Sequence, residues 1–237
     1  MPAAGVVDLW VVPLTRAALD RDAALLDAPE LERAARFVFE RDHFRFVAAR
    51  AALRRILARY ADDDPAALRF AVDDHGKPSL IGPRGAGFGW NLSHSGDLAV
   101  VAVAAGAVGV DIETVRPLAD LQALAQRCLT EAEADTLAAC SATAQVAAFL
   151  SVWTRKEACL KAIGAGLALE PRSFATGLEA AERAVRLDWD GREHRLVVRS
   201  VDCANGALVA VALPAHDSTV PIEVRLQALD AASVTLA

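Results

Sequence analysis

Two carboxylates share one face of a predicted strand near the middle of the chain. Residues 108–113 read VGVDIE, and β-strand alternation places Val110 and Ile112 on one face and Asp111 and Glu113 on the other. Neighbouring carboxylates repel each other, and a hard cation such as Mg²⁺ would relieve that repulsion. The pair is therefore a candidate metal site, with a solvent-exposed acidic strand end as the alternative.

A helix further along the chain carries charges where its pattern predicts burial. Residues 149–167, FLSVWTRKEACLKAIGAGL, read as a helix stopped by glycine at Gly164. Lys156 falls in the middle of the apolar arc, Glu157 falls near its edge, and Lys161 follows Glu157 by one turn. The alternative is a surface helix with a Glu157–Lys161 ion pair and the Lys156 stem lying along apolar surface.

The distribution of lysine favours a functional interpretation of this helix. The chain has 25 basic residues, and only Lys77, Lys156 and Lys161 among them are lysines. Ammonium and guanidinium groups are not interchangeable at a tight phosphate site, so two lysines within six residues predict contacts to phosphate. Glu157 would complete a three-carboxylate site if this helix packs over the strand at 108–113.

Residues 91–95, NLSHS, precede a strand predicted at 98–104. We interpret residues 93–96 as a turn, and we expect a hairpin through residues 105–106 to pair the strand at 98–104 with that at 108–113. The hairpin would bring Ser93 and His94 near the carboxylates. A Ser-His dipeptide is not by itself a nucleophile–base pair, because that chemistry requires spatial geometry.

Two further motifs lie on either side of the carboxylate strand. Gly76, Lys77 and Pro78 form a predicted turn, for which an exposed lysine is the simpler interpretation. Thr130 and Glu133 have the spacing of a capping box, which predicts a helix that begins after Thr130.

The remaining pattern predicts two halves of similar build, each with a long helix and several short strands. The helices are expected at residues 33–60, 118–126 and 149–167, and the other strands at 6–12, 70–72, 88–92, 185–189, 193–201, 207–213 and 222–226. A glycine-rich loop follows at 82–87. The segments HFRFVAARAALR and SVWTRKEACLKA would occupy equivalent places in a weak internal duplication.

Composition narrows the class of protein. The 237 residues are 54% hydrophobic and 24% charged, without a run long and apolar enough for a membrane span. A net charge of −6 argues against general binding of nucleic acid. The four cysteines show no metal-binding spacing, and no signal peptide is recognised. We therefore expect a cytoplasmic, monomeric protein without a membrane or nucleic-acid partner.

Four motifs taken together resemble those of the 4′-phosphopantetheinyl transferase superfamily, in its longer, Sfp-type branch. They occur in the order GKP at 76–78, WNLSHS at 90–95, GVDIE at 109–113 and WTRKEACLK at 153–161. The resemblance covers roughly residues 76–166. It implies an α+β fold of two similar α/β halves, each with a small, mainly antiparallel sheet on a long helix and with the active site in the cleft between them. We expect an N-terminal half at 1–106 and a C-terminal half at 107–237.

The resemblance also implies the reaction. Such an enzyme transfers the 4′-phosphopantetheine group from coenzyme A to a serine of an apo acyl or peptidyl carrier protein, with Mg²⁺ on the pyrophosphate, and releases 3′,5′-ADP. By position, the Mg²⁺ ligands are Asp111, Glu113 and Glu157. The phosphate contacts are Lys156, Lys161 and His94, and the nucleotide-binding residues are Ser93, Gly76, Lys77 and Pro78. Arg45 matches the arginine for the 3′-phosphate, and Glu133 matches an acidic position with a catalytic role.

Several alternatives stay open at the level of sequence. The base that accepts the serine proton is Glu157, Glu133 or a metal-bound water, and Mg²⁺ is not distinguished from Mn²⁺. The carrier and its pathway, whether for fatty acids, polyketides or nonribosomal peptides, are not specified. The competing functions are a Mg²⁺-dependent nucleotide pyrophosphohydrolase and a non-catalytic protein that binds coenzyme A.

Overall fold

A computed structural model describes residues 1–73, 76–82, 87–179, 181–203, 206–215 and 221–229. The glycine-rich loop predicted at 82–87 lies partly outside these ranges. The elements of the first half are, in chain order, β1 (Val6–Pro13), α1 (Leu19–Ala23), α2 (Ala28–Ala35), α3 (Glu40–Ala61), β2 (Phe70–Val72), β3 (Pro78–Leu80), β4 (Gly89–Ser95) and β5 (Leu98–Ala104). Those of the second half are β6 (Gly109–Glu113), α4 (Leu121–Cys128), α5 (Glu131–Ala138), α6 (Ala142–Ile163), β7 (Arg183–Trp189), β8 (Arg192–Asp202), β9 (Leu208–Pro214) and β10 (Glu223–Ala228).

Each half is a sheet with one 22-residue helix packed on it. In the first half β1, β5 and β4 pair antiparallel in that order, and α3 covers one face. In the second half β6, β9, β8 and β7 pair antiparallel, and α6 covers one face. The α+β fold of two similar halves is therefore confirmed.

A shared apolar core joins the two sheets on the faces opposite their helices. It is built from the strand residues that alternation turns away from α3 and α6. Its members include Val7, Leu9, Val100, Ala102, Val110, Ile112, Val209 and Val211. Asn91 adds a polar link, because its side-chain oxygen accepts the backbone N–H of Val110 at 3.1 Å. These contacts place β4 beside β6, and the cleft lies along this boundary.

Three local predictions were wrong. The helical region at 33–60 is two helices, with residues 36–39 between α2 and α3, where Phe37, Val38 and Phe39 are weak helix formers. Ser93, His94 and Ser95 lie in strand β4, and the turn comes after them. β5 does not pair with β6, which pairs with β9 in the other sheet. Alternation specifies the faces of a strand but not its partner.

The helix predicted at 149–167 was confirmed at its end and begins earlier than expected. α6 starts at Ala142 and ends at Ile163, where Gly164 adopts a left-handed conformation with φ of +77°. The capping box of Thr130 and Glu133 opens α5, as predicted. No helix in the described ranges is long and apolar enough to cross a membrane.

The last strand returns to the first sheet. β10 pairs parallel with β1, from Val6 opposite Glu223 to Val11 opposite Ala228. We expected residues 107–237 to form the second half, but β10, which lies in that range, completes the sheet of the first half.

Candidate active site

The core of the site is a triangle of Asp111, Ser93 and Lys161. Ser93 Oγ donates to Asp111 Oδ1 at 2.7 Å, Lys161 Nζ donates to the same oxygen at 2.6 Å, and Lys161 Nζ lies 3.0 Å from Ser93 Oγ. The three residues come from β6, β4 and α6, so both halves contribute. The structure therefore brings these sequence-predicted residues together, although by contact between sheets and not through a hairpin.

Glu113 lies one alternation further along β6, at the mouth of the cleft. Its Oε2 accepts from Ser95 Oγ at 2.7 Å and from Arg116 Nη1 at 2.6 Å. Sequence reasoning missed both partners. The period of two along β4 was a usable signal for Ser95, because it places Ser95 on the same face as Ser93.

Glu157 approaches the triangle from α6, one turn before Lys161. It lines the same pocket, of about 370 Å³, as Asp111, Glu113 and His94. Burial raises the pKa of Glu157, and Asp111 and Glu113 raise it further against the opposing effect of Lys161. The pKa of Asp111 is also raised by burial, against Lys161 and Ser93. Three carboxylates thus face one small volume, and the ammonium of Lys161 is the only one from the described residues that lines it.

These carboxylates are of the chemical type that binds Mg²⁺, but they do not lie close enough together to coordinate one ion. Hard oxygen ligands of this kind suit Mg²⁺. Within the described residues, no three His, Cys, Asp or Glu side chains are close enough together to hold a metal ion. Lys161 and Ser93 instead hold one oxygen of Asp111, and Glu157 forms no hydrogen bond or ion pair with a described residue. The oxygen donors of Asp111, Glu113 and Glu157 therefore fit Mg²⁺ by their chemical type.

His94 and Arg45 line a second part of the cleft, of about 510 Å³. Burial lowers the pKa of His94, and the positive charges of Lys161 and Arg45 lower it further, which favours the neutral imidazole. Arg45 Nη2 donates to Asp97 at 2.6 Å. Arg41 and Arg116 line the same volume, each paired with a carboxylate that also lines it, Asp42 and Glu113 respectively. Guanidinium groups are suited to phosphate.

Lys156 does not reach the cleft, contrary to its expected role as a phosphate contact. Its side chain is 0% exposed, and Nζ lies 2.8 Å from Glu133 Oε2. The same ammonium donates to the carbonyls of Pro171, at 2.9 Å, and Phe174. Burial lowers the pKa of Lys156 while Glu133 opposes that shift. The pattern in the sequence located a buried lysine correctly but could not show which carboxylate pairs with it.

Glu133 also binds groups outside the cleft, contrary to its expected catalytic role. Besides Lys156, it accepts the backbone N–H groups of Thr176 at 2.7 Å and Gly177 at 2.9 Å, and it closes the capping box of α5. Burial would raise the pKa of Glu133, but the hydrogen bonds from Lys156 and the backbone hold it below its usual value. Glu133 therefore anchors a loop to α5 and α6.

The first half contains an equivalent of this buried pair. Arg54, on α3, is 0% exposed and donates through Nε to Glu30 Oε2 at 2.7 Å. Glu30 closes the capping box of α2, and Arg54 also donates to the carbonyls of Pro65 and Leu68 at 3.0 Å. A buried cation on the long helix thus meets a capping-box glutamate and two loop carbonyls in both halves. This repetition favours a structural role for Lys156.

Lys77 does not point into the cleft either. Its Nζ donates to the carbonyls of Lys161 at 2.8 Å and Ala162 at 3.0 Å. These carbonyls lie in the last turn of α6, where a helix leaves its carbonyls without an intrahelical partner. Gly76 has a φ of +85°, and Pro78 begins β3. The predicted turn at 76–78 therefore fixes the end of the helix that carries Glu157 and Lys161, and its expected contact with nucleotide is not formed by the Lys77 ammonium.

Comparison with known proteins gives consistent matches along the chain. Residues 107–212 match the family model of the 4′-phosphopantetheinyl transferase superfamily, and residues 13–106 match that of the 4′-phosphopantetheinyl transferase N-terminal region. The 4′-phosphopantetheinyl transferase HetI of Nostoc sp. is 40% identical over 167 residues, which are 68% of this chain and 70% of that protein. A 4′-phosphopantetheinyl transferase of Bacillus subtilis is 32% identical over 70% of this chain and 73% of its own length. The Bacillus subtilis transferase Sfp is 28% identical over 76% of this chain and 75% of its own.

Proposed function

The chain belongs to the 4′-phosphopantetheinyl transferase superfamily, and from that premise we propose that it transfers 4′-phosphopantetheine from coenzyme A to a serine of an apo acyl or peptidyl carrier protein. The serine oxygen forms a bond to the β-phosphorus, the bond from that phosphorus to the bridging oxygen breaks, and 3′,5′-ADP leaves. The observation that carries the proposal is the cluster of carboxylates and Lys161 in the cleft between the halves.

The roles of the cleft residues follow from the family resemblance, and the lining of the cleft supports them. Asp111, Glu113 and Glu157 would hold Mg²⁺, which would neutralise charge on the pyrophosphate when bound. Lys161 and His94 would contact the phosphates from the same pocket. Arg45 would serve the 3′-phosphate from the adjoining volume.

The proton of the serine needs an acceptor in the cleft. Of the two glutamates considered for this role, Glu157 lies in the cleft, whereas Glu133 is held by Lys156 and two backbone amides. Its position therefore favours Glu157 over Glu133 as the acceptor of the serine proton.

The competing functions have less support. A nucleotide pyrophosphohydrolase and a non-catalytic coenzyme A-binding protein would both be unusual among relatives named as transferases. A monomeric state, a cytoplasmic location, the absence of a nucleic-acid partner and the division at residue 106 remain proposals.

One incubation tests the function. The protein is mixed with coenzyme A, Mg²⁺ and an apo carrier protein, and the carrier is weighed by mass spectrometry. We expect the carrier to gain one phosphopantetheine group. We expect EDTA or Asp111→Ala to abolish the gain, while circular dichroism shows a folded Asp111→Ala protein. An unmodified carrier, together with hydrolysed coenzyme A, would instead favour the pyrophosphohydrolase.

A further inference from the structure

The link between α2 and α3 exposes three consecutive apolar side chains. Phe37 is 38% exposed, Val38 is 90% exposed and Phe39 is 67% exposed. Exposure of such a run to water is unfavourable. Exposed apolar patches that are surrounded by polar residues often mark sites of interaction. We refer to residues 37–39 and the arginines around them as the link patch.

The link patch is supported from beneath and is not a frayed end. The ring of Phe37 packs on Phe46 of α3 with centroids 5.4 Å apart, and the guanidinium of Arg33 lies 5.4 Å from the centre of the Phe46 ring. The link lies between the described helices α2 and α3, both of which are anchored to the core through Ala34 and Val47. The Phe37 side chain is therefore held in place, and the link is anchored at both of its ends.

Arginines surround the apolar residues. Arg33, Arg36 and Arg41 flank them, and Arg36 forms no side-chain hydrogen bond or ion pair with any described residue. The neighbouring Glu40 is paired with Arg16. Arg41 lies 3.5 Å from Asp42, so Arg33 and Arg36 are the arginines that form no ion pair with a described residue in this patch. A partner that fits it presents apolar side chains next to carboxylates.

The patch is continuous with the candidate active site. Phe37 and Arg41 line the same volume of about 510 Å³ as His94 and Glu113. A carrier serine that reacts at the pyrophosphate must enter this cleft, so the carrier protein must cover part of its rim.

We propose that the link patch is the docking surface for the carrier protein, with Val38 and Phe39 as apolar anchors and Arg36 as a contact to carboxylates. This proposal rests on the proposed transferase function. A few buried anchors usually supply most of the binding energy at such interfaces.

The test compares variants by steady-state kinetics on an apo acyl carrier protein and an apo peptidyl carrier protein, using whichever the wild type modifies. The variants are Val38→Glu, Phe39→Glu and Arg36→Glu. The control is Leu226→Glu, because Leu226 is an apolar residue, 56% exposed, on β10 at the opposite edge of the first sheet from β4. Dissociation constants for coenzyme A are measured by calorimetry on each protein.

We expect each patch variant to raise KM for the carrier by about tenfold or more. We expect the affinity for coenzyme A and kcat at saturating carrier to stay near the wild-type values, and Leu226→Glu to behave as wild type. Unchanged KM in the patch variants, or an equal rise in Leu226→Glu, overturns the proposal. So does sedimentation that shows a wild-type dimer dissociated by Val38→Glu, because the patch would then join two copies of this chain. A wild type that modifies neither carrier refutes the function itself.

Discussion

At the scale of single residues, burial separates two lysines that the sequence presents as equivalent. Lys156 and Lys161 lie on one helix five positions apart, but Lys161 Nζ meets Asp111 in the cleft and Lys156 Nζ meets Glu133 behind it. The first lysine is available to a phosphate, whereas the second is already satisfied by a carboxylate and two carbonyls.

We therefore predict that the main effect of Lys156→Ala is a loss of folding stability. The change leaves Glu133 buried and without its ammonium partner, which costs about 3–5 kcal/mol. Chemical denaturation should show a lower midpoint, and Lys156→Met/Glu133→Gln should recover part of the loss because no unpaired charge remains. Lys77→Ala is the control, for which we expect a smaller loss because the Lys77 ammonium donates to backbone carbonyls and not to a buried carboxylate. Normal stability in Lys156→Ala would contradict this interpretation.

Glu157 gives a prediction for pH. Its pKa is raised in the folded protein by burial and by Asp111 and Glu113, so its ionisation costs stability above the folded pKa. Without metal, Glu157→Gln should raise the melting temperature at pH 7. The gain should shrink as the pH falls and vanish below the pKa of an unfolded glutamate, about 4.3. Thermal scans in EDTA from pH 4 to pH 8 measure it, and a gain independent of pH would rule out ionisation as the cause.

At the scale of elements, the distance between β6 and α6 determines whether the carboxylates face one another. Gly109 makes their close approach possible, because a Cβ atom there would lie 1.9 Å from the carbonyl oxygen of Ala158 and 2.4 Å from the nitrogen of Ala162. The contact is with helix backbone, which cannot rotate away as a side chain can.

Gly109→Ala should therefore push β6 from α6 and destabilise the fold by about 1–3 kcal/mol or more. If the protein still folds, transfer activity should fall as well, because Asp111 and Glu157 lie on the two separated elements. Gly106→Ala is the control, since a Cβ at Gly106 meets nothing within 4 Å. The measurement is urea denaturation of both variants. Equal midpoints for the two variants would refute the prediction.

At the scale of the whole molecule, charge is distributed unevenly. The net charge is −6, yet the cleft and its rim carry Arg41, Arg45 and Arg116. A carrier protein would meet these arginines together with Asp42 and Glu113 on an acidic molecule, so short-range contacts should matter more than long-range attraction.

Accordingly, we predict a shallow dependence of kcat/KM on ionic strength. Long-range steering changes association by about tenfold or more as salt is added, and we expect a smaller change here. The measurement is a salt titration of carrier modification at saturating coenzyme A, with the salt effect on coenzyme A binding determined separately. A steep fall between low and physiological salt would show that global attraction dominates.

The sequence by itself determined the family, the two-half fold and most of the residues in the cleft. Asp111 and Glu113 followed from strand alternation, and Glu157 and Lys161 from helical spacing, because both are local periodicities of the backbone. Ordered motifs then connected these elements to a known family. The capping box of Thr130 and Glu133 was likewise readable from four consecutive positions.

Only the tertiary structure decided which charges meet. Four features depend on contacts between residues far apart in the chain. They are the pairing of β6 with β9, the burial of Lys156 against Glu133, the contact of Lys77 with the end of α6 and the pairing of β10 with the first sheet. Alternation and helical spacing specify the face that a side chain occupies. Which opposing group lies across that face depends on how the two sheets pack through their shared core.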